Sequence, residues 1–211
     1  RVETWSPVKG CLHGCIYCYA REIAEGRLKR STRKYADGFK PRLWEPEFKR
    51  VPKRGVIFVC DMGDLFGQWV PREWIERVIE AVSGSPGATF LFLTKNPSRY
   101  FDFLDEFPEK AILGATIETN DDELYARHHV SGAPLPSKRV EAMRNLAWPL
   151  KLVSVEPVLD FELRGFVEAL RSIGPAIVYV GYDNYGNRLP EPSLKKTLEL
   201  VDALRRFTLV L

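Results

Sequence analysis

Cysteine is scarce in this chain, with four in 211 residues. A chain of that length can bury a sizeable core without covalent staples, so a disulfide framework of the kind that holds small secreted domains is excluded. Long apolar runs are missing as well. No segment approaches 18 consecutive apolar residues, and the opening RVETWSPVKG contains no signal-like apolar stretch. These absences predict a soluble, cytoplasmic protein that does not enter a membrane. There is no second cysteine-rich stretch to carry another metal centre. His128 and His129 in YARHHVSG are adjacent, so they cannot share one ligand face of a helix, and they read as loop residues. A strong overall charge is also lacking, since the net value is +3, but the charges are uneven. Residues 21–54 hold 12 Lys/Arg against 5 Asp/Glu, whereas residues 55–211 hold 17 against 22. A basic stretch of this kind suits phosphate, a nucleotide or nucleic acid, or else is a solvated helix face and loop.

What the chain does contain is a rhythm of short apolar runs and helical segments, consistent with one domain over 1–211. GVIFVCD (55–61), ATFLFLT (88–94), AILGATIE (111–118), LKLVSVE (150–156) and AIVYVG (176–181) read as strands. A short strand in ETWSPV precedes them, and TLVL (208–211) opens one more. Helices are predicted between them, after Pro71, after Pro97, over about 137–146, in FELRGFVEALRSIG and in SLKKTLELVDALRRF. Residues 119–136 read as an irregular polar insert. Continuous rather than alternating apolar strands point to a parallel sheet covered on both faces, with helical crossovers. Periodicity alone leaves a partial barrel, a full barrel and an open doubly wound sheet in play.

Polar groups gather where the strands end. Asp61 and Asp64 follow one strand, and Thr94, Lys95 and Asn96 the next. Thr116, Glu118 and Asn120 lie on the third, and Ser154 and Glu156 close the fourth. The last runs into GYDNYGN. In a parallel β/α protein such ends converge on one face, where sites are assembled from several strands.

Three of the four cysteines fall within eight residues, in GCLHGCIYCYARE: Cys11, Cys15 and Cys18. No fourth ligand follows at zinc-knuckle spacing. A structural zinc needs four donors and would have to recruit His13 or the distant Cys60. A [4Fe–4S] cube held by three thiolates leaves one iron with an exchangeable position. Spacing alone therefore admits a cluster, a zinc site or unrelated cysteines.

C-x3-C-x2-C with an aromatic before the last cysteine, Tyr17 here, resembles the motif of the radical S-adenosylmethionine (SAM) superfamily. The blocks TWSPVKGCLHGCIYCYA, VCDMGDLFGQWVP, FLFLTKNPSRY, LGATIET and LVSVEPVLDF, in that order, resemble the phage Gp37/Gp68-like (DUF5131-type) family. That family is related to spore photoproduct lyase-like proteins. One departure stands out: where relatives carry Gly-Gly-Glu-Ser-Gly after the last strand, this chain has VGYDNYG (180–186).

The resemblance implies an α/β fold, a partial TIM-type (β/α)6 barrel with mostly parallel strands. It also implies a [4Fe–4S] cluster on Cys11, Cys15 and Cys18, with SAM bound at the open iron and cleaved reductively. The 5'-deoxyadenosyl radical so released abstracts hydrogen from a substrate. By the same likeness Tyr17 packs near the adenine. Gly63 and Asp64 receive the methionine amino group, with Asp61 as competitor. Lys95 meets the methionine carboxylate or a substrate phosphate. Glu118, Ser154 and Glu156 hold ribose or substrate. Cys60 stands where a hydrogen-donating or thiyl-forming cysteine would serve, or is an apolar-sized filler of a buried strand. The implied partners are an external one-electron donor, a nucleic-acid or nucleotide substrate and a further protein that completes the site. Two rival readings are a non-catalytic iron–sulfur docking or sensing module and a zinc-stabilised nucleic-acid binding protein.

Overall fold

The continuous apolar runs become strands because each has a parallel neighbour on at least one side and covered faces. The computed structural model describes residues 2–211. The chain divides into two compact units, Arg1–Gly14 with Cys18–Ile112, and Cys15–Tyr17 with Leu113–Leu211.

The first unit holds β1 (Val2–Trp5), β2 (Val8–Lys9), α1 (Tyr19–Ile23), α2 (Lys29–Ser31), β3 (Arg42–Leu43), β4 (Gly55–Val59), α3 (Arg72–Ser83) and β5 (Ala88–Thr94). Strands β1, β4 and β5 lie side by side and parallel, with Trp5 opposite Val59 and Ile57 opposite Phe90. The basic segment is more ordered than a helix face and loop. A π turn at Ala24–Leu28 links α1 to α2, and β3 pairs antiparallel with β2, a ribbon the sequence did not announce. Helix α3 starts after Pro71 and stops at Gly84, as the punctuation predicts, and buries Ile75, Val78, Ile79 and Val82.

The segment after Pro97 is helical, as expected, but of the tighter 3-10 kind. Pro97–Glu106 is a 3-10 helix, and its buried residues Pro97, Tyr100 and Phe103 recur every three positions. A 3-10 helix has three residues per turn, so that spacing keeps the rings on one face. Tyr100 and Phe103 join Phe66, Phe92 and Phe107 in an aromatic cluster with ring centroids 4.6–6.2 Å apart. The Tyr100 hydroxyl donates to the Phe92 carbonyl at 3.1 Å, which satisfies a buried polar group.

The second unit continues the alternation with β6 (Ile112–Thr116), α4 (Asp122–Arg127), α5 (Pro136–Asn145), β7 (Lys151–Val155), α6 (Leu163–Ile173), β8 (Ile177–Val180), α7 (Leu194–Leu204) and β9 (Leu209–Val210). Its strands run in the order β6-β7-β8-β9, all parallel. The insert at 119–136 is not wholly irregular, because Asp121 accepts from the Leu124 N–H and starts α4. Helix α6 ends at Gly174 in the left-handed conformation, φ +66°. The chain is thus a mostly parallel α/β protein of the partial (β/α) barrel kind. Among the described residues no helix is long and apolar enough to cross a membrane.

Candidate functional site

The cysteine loop is pinned at its base by two glycines. Gly10, at φ +81°, forms a parallel bridge with Gly63, and its N–H donates to the Met62 carbonyl at 2.9 Å. A Cβ on Gly10 would collide with the backbone of Phe39 and Lys40, and one on Gly63 would come within 2.9 Å of the Gly10 carbonyl oxygen. Gly63 is therefore required by close backbone approach.

Within the first unit, Cys11 and Cys18 each accept a backbone N–H on sulfur. His13 N lies 3.4 Å from Cys11 Sγ, and Arg21 N lies 3.4 Å from Cys18 Sγ. Cys18 is the N-cap of α1, so its sulfur faces the positive end of a helical turn. Both thiols pack against Ala20, Ala24, Tyr35 and Phe39. In the second unit, Cys15 is buried and its thiol donates to Ser131 Oγ at 3.2 Å.

Asp64 is a buried hub. Its Oδ1 accepts from Thr94 Oγ1 at 2.7 Å and the Phe66 N–H at 3.0 Å. Its Oδ2 faces His13 Nε2 at 2.9 Å and accepts from the Lys95 N–H at 3.0 Å. Burial alone would raise its pKa, but the bonds from His13, Lys95 and Thr94 outweigh that and hold it below the usual carboxylate range. A carboxylate has about four acceptor positions, so Asp64 has no evident capacity left for an incoming ammonium. Asp61 is different. It is half-buried, accepts from Ser6 Oγ, and burial pushes its pKa up. The Tyr19 hydroxyl donates to the Asp61 carbonyl at 3.0 Å.

Cys60 follows β4 directly at φ +58°, a left-handed conformation uncommon for a residue with a Cβ. It is 3% exposed, and burial pushes its thiol up to about 12.

Tyr17 and Glu118 meet in the second unit. The Tyr17 hydroxyl donates to Glu118 Oε1, and burial together with that carboxylate lifts the phenol well above its ordinary value. Glu118 Oε2 is held at 2.7 Å by Arg139 Nη1, and both of those side chains are fully buried. Arg139 also donates to the Thr116 carbonyl at 2.9 Å, the Pro134 carbonyl at 2.6 Å and the Tyr125 hydroxyl at 2.6 Å. Glu118, expected to face ribose, is thus half of an internal ion pair. Arg139 was missed by sequence reasoning. The signal was there: it lies on the stripe of α5 that buries Pro136 and Met143, where a cation needs an anion.

Ser154 and Glu156 are brought together, with Ser154 Oγ donating to Glu156 Oε2 at 3.1 Å and Glu156 exposed. In the variant loop, Asp183 accepts from the N–H groups of Tyr185 and Asn187 and from Asn187 Nδ2, while Tyr182 OH lies 2.6 Å from Thr197 Oγ1. The shorter Asp turns back on its own loop. His128 and His129 lie exposed in the turn that follows α4.

Among the described residues no group of three His, Cys, Asp or Glu side chains is placed to hold a metal ion. The donor chemistry of the loop nonetheless fits an iron–sulfur cluster, because it offers three thiols, two of which accept N–H groups that favour a thiolate. It fits zinc less well. Of the two candidates for a fourth donor, the His13 ring is packed edge-on to Trp69 and bonded to Asp64, and the Cys60 thiol is held protonated.

The basic segment splits into two sets. Lys34 is used internally, donating to the Ser6 carbonyl and to Glu47 at 2.7 Å each. Arg27, Arg30, Arg33, Lys40, Lys49, Arg50, Lys53 and Arg54 are exposed.

The fold is shared with several solved structures at low sequence identity. A spore photoproduct lyase variant with bound AdoMet and dinucleoside spore photoproduct matches at TM-score 0.62 and 15% identity, over 98% of this chain and 62% of that one. The chain thus spans less than two thirds of that protein. The hydrogenase maturase HydG from Carboxydothermus hydrogenoformans matches at TM-score 0.59 and 12% identity, over 99% of this chain and 52% of that one. Methylornithine synthase matches at 0.61 and 13%, over 99% and 63%. No curated protein matches in sequence. The family DUF5131, described as a protein of unknown function, matches residues 2–169, and the chain belongs to that family.

Proposed function

We propose that this protein is a radical SAM enzyme of the phage Gp37/Gp68-like kind, acting as a single cytoplasmic domain. Cys11, Cys15 and Cys18 would hold a [4Fe–4S] cluster, and the substrate is a nucleic acid or nucleotide. The observation that carries the reading is the three-thiol loop with its two N–H···S bonds in a partial (β/α) barrel. When bound, the cluster and SAM supply reductive cleavage of SAM and hydrogen-atom abstraction; the protein supplies ligation, orientation and shielding.

The chain's own residues divide the remaining work. In this reading Asp61 rather than Asp64 receives the methionine ammonium: Asp64 already makes four hydrogen bonds, whereas the half-buried Asp61 carboxyl gains from a cationic donor. The Gly63 backbone keeps the loop close enough for that contact. Lys95 meets the methionine carboxylate. Tyr17, fixed by Glu118, presents its ring beside the adenine, and Ser154 with the exposed Glu156 receives ribose or substrate. Cys60 is the hydrogen-donor candidate, kept as a thiol by burial and lying next to the residue that anchors Tyr19. The exposed cations of 27–54 suit a phosphate backbone, and the dinucleoside bound by the lyase points the same way. Electrons come from an external one-electron donor, and a partner protein completes the substrate pocket.

The test is anaerobic reconstitution with iron and sulfide, reduction with dithionite, and quantitation of 5'-deoxyadenosine formed from SAM. Turnover that disappears in Cys15→Ala supports the reading. A full cluster with neither SAM binding nor cleavage replaces it with a docking or sensing module, and a colourless stoichiometric zinc protein replaces it with a zinc-stabilised nucleic-acid binder.

A further inference from the structure

We infer that His13 and Asp64 are positioning residues for the cysteine loop, clamping its first turn so that the His13 amide is aimed at the Cys11 sulfur. The inference rests on the assignment of Cys11 as a cluster ligand. It gives Asp64 a task different from binding SAM.

The geometry is continuous from strand to sulfur. Asp64 follows β4 and is anchored by the Phe66 and Lys95 amides and by Thr94 Oγ1 at the end of β5. These donors belong to the rigid parallel strands and the turns that leave them, so the carboxylate cannot swing. Its Oδ2 holds His13 Nε2 at 2.9 Å, and the His13 ring stands edge-on to Trp69 with centroids 4.7 Å apart. His13 and Asp64 are each 5% exposed, so water does not compete for the bond. A polar ring this deep in a loop is costly to bury without a purpose-built acceptor. With the ring fixed, the His13 backbone has little freedom, and its N–H meets Cys11 Sγ at 3.4 Å.

The bridge between Gly10 and Gly63 brings the loop to the turn that carries Asp64 but orients nothing beyond Gly10. The His13–Asp64 bond supplies that orientation on the other side of Cys11. An amide donated to a ligand sulfur stabilises the more negative, reduced state of a cluster and so raises its potential. Partners that orient ligands typically contribute about 10- to 100-fold to metal affinity.

The experiment uses the full chain as wild type, His13→Ala, His13→Gln and Asp64→Asn, each reconstituted anaerobically. Folding is checked by circular dichroism. Iron retained under chelator challenge and the midpoint potential of the bound cluster are the readouts, and neither depends on turnover. The Gln side chain can still donate to Asp64, so His13→Gln should stay near wild type. His13→Ala and Asp64→Asn should hold iron about tenfold more weakly and titrate at a lower potential. Folded His13→Ala and Asp64→Asn proteins with wild-type retention and potential would overturn the inference, as would equal losses in His13→Gln and His13→Ala. If Asp64→Asn does not fold, the His13 pair decides. A wild type that takes up no iron sinks the radical SAM reading and this inference together, whereas an iron-loaded wild type with insensitive variants sinks this inference alone.

Discussion

Replacing Arg139 with Met removes a fully buried cation while keeping most of its apolar stem. Four interactions go with it: the ion pair to Glu118 and the bonds to the Thr116 carbonyl, the Pro134 carbonyl and the Tyr125 hydroxyl. Glu118 is left fully buried without its cation, its Oε1 still accepting from the Tyr17 and Tyr125 hydroxyls. Breaking a buried pair from one side costs about 3–5 kcal/mol, because the remaining charge loses the cation that offset its desolvation. In a chain of this size that is a fall of about 6–20 °C in Tm. Against a total stability of about 5–15 kcal/mol, the variant should fold but marginally. Adding Glu118→Gln removes the stranded charge, so Arg139→Met/Glu118→Gln should recover at least half of the loss. Urea unfolding at pH 7, followed by far-ultraviolet circular dichroism and tryptophan fluorescence, measures the cycle, with coincident transitions justifying the free energies. A loss below about 1 kcal/mol in Arg139→Met, or a double variant no more stable than the single, would refute the account of Glu118 as a structural carboxylate.

Two further outcomes are expected. Cys60, 3% exposed and with its thiol pushed up to about 12, should resist iodoacetamide at pH 8 in the native protein and label fully in denaturant; native labelling as fast as that of a free thiol would contradict its burial. Asp64 has a folded pKa below its unfolded value, so its contribution is complete above the unfolded pKa and is lost as pH falls through the folded one. The stability gap between wild type and Asp64→Asn, measured by urea unfolding from pH 7 down, should therefore narrow below about pH 4; a gap that widens on acidification would reverse the sign of the shift.

The sequence by itself determined the strand–helix alternation and the parallel pairing. Continuous β-branched and aromatic runs such as ATFLFLT have no polar side to offer water, and the helices between them forbid hairpins. Pro71, Gly84, Gly174 and Ser193 bound their helices where local backbone chemistry says they should. The cysteine triplet was equally legible as a motif, since residue identity and spacing are local properties. Tertiary structure decided whatever depended on a partner distant in sequence. The Pro97 segment became a 3-10 helix because its rings at every third position pack into a cluster with Phe66 and Phe92. Strand β3 exists because Arg42–Leu43 pairs with Val8–Lys9. Above all, a carboxylate's role follows from which donors reach it. Asp61, Asp64 and Glu118 look alike in sequence at strand ends, yet Glu118 faces Arg139, 21 residues on, Asp64 faces His13, 51 residues back, and Asp61 stays half-open. Side-chain type sets what a residue can bond; only the folded chain sets what stands within 3 Å of it.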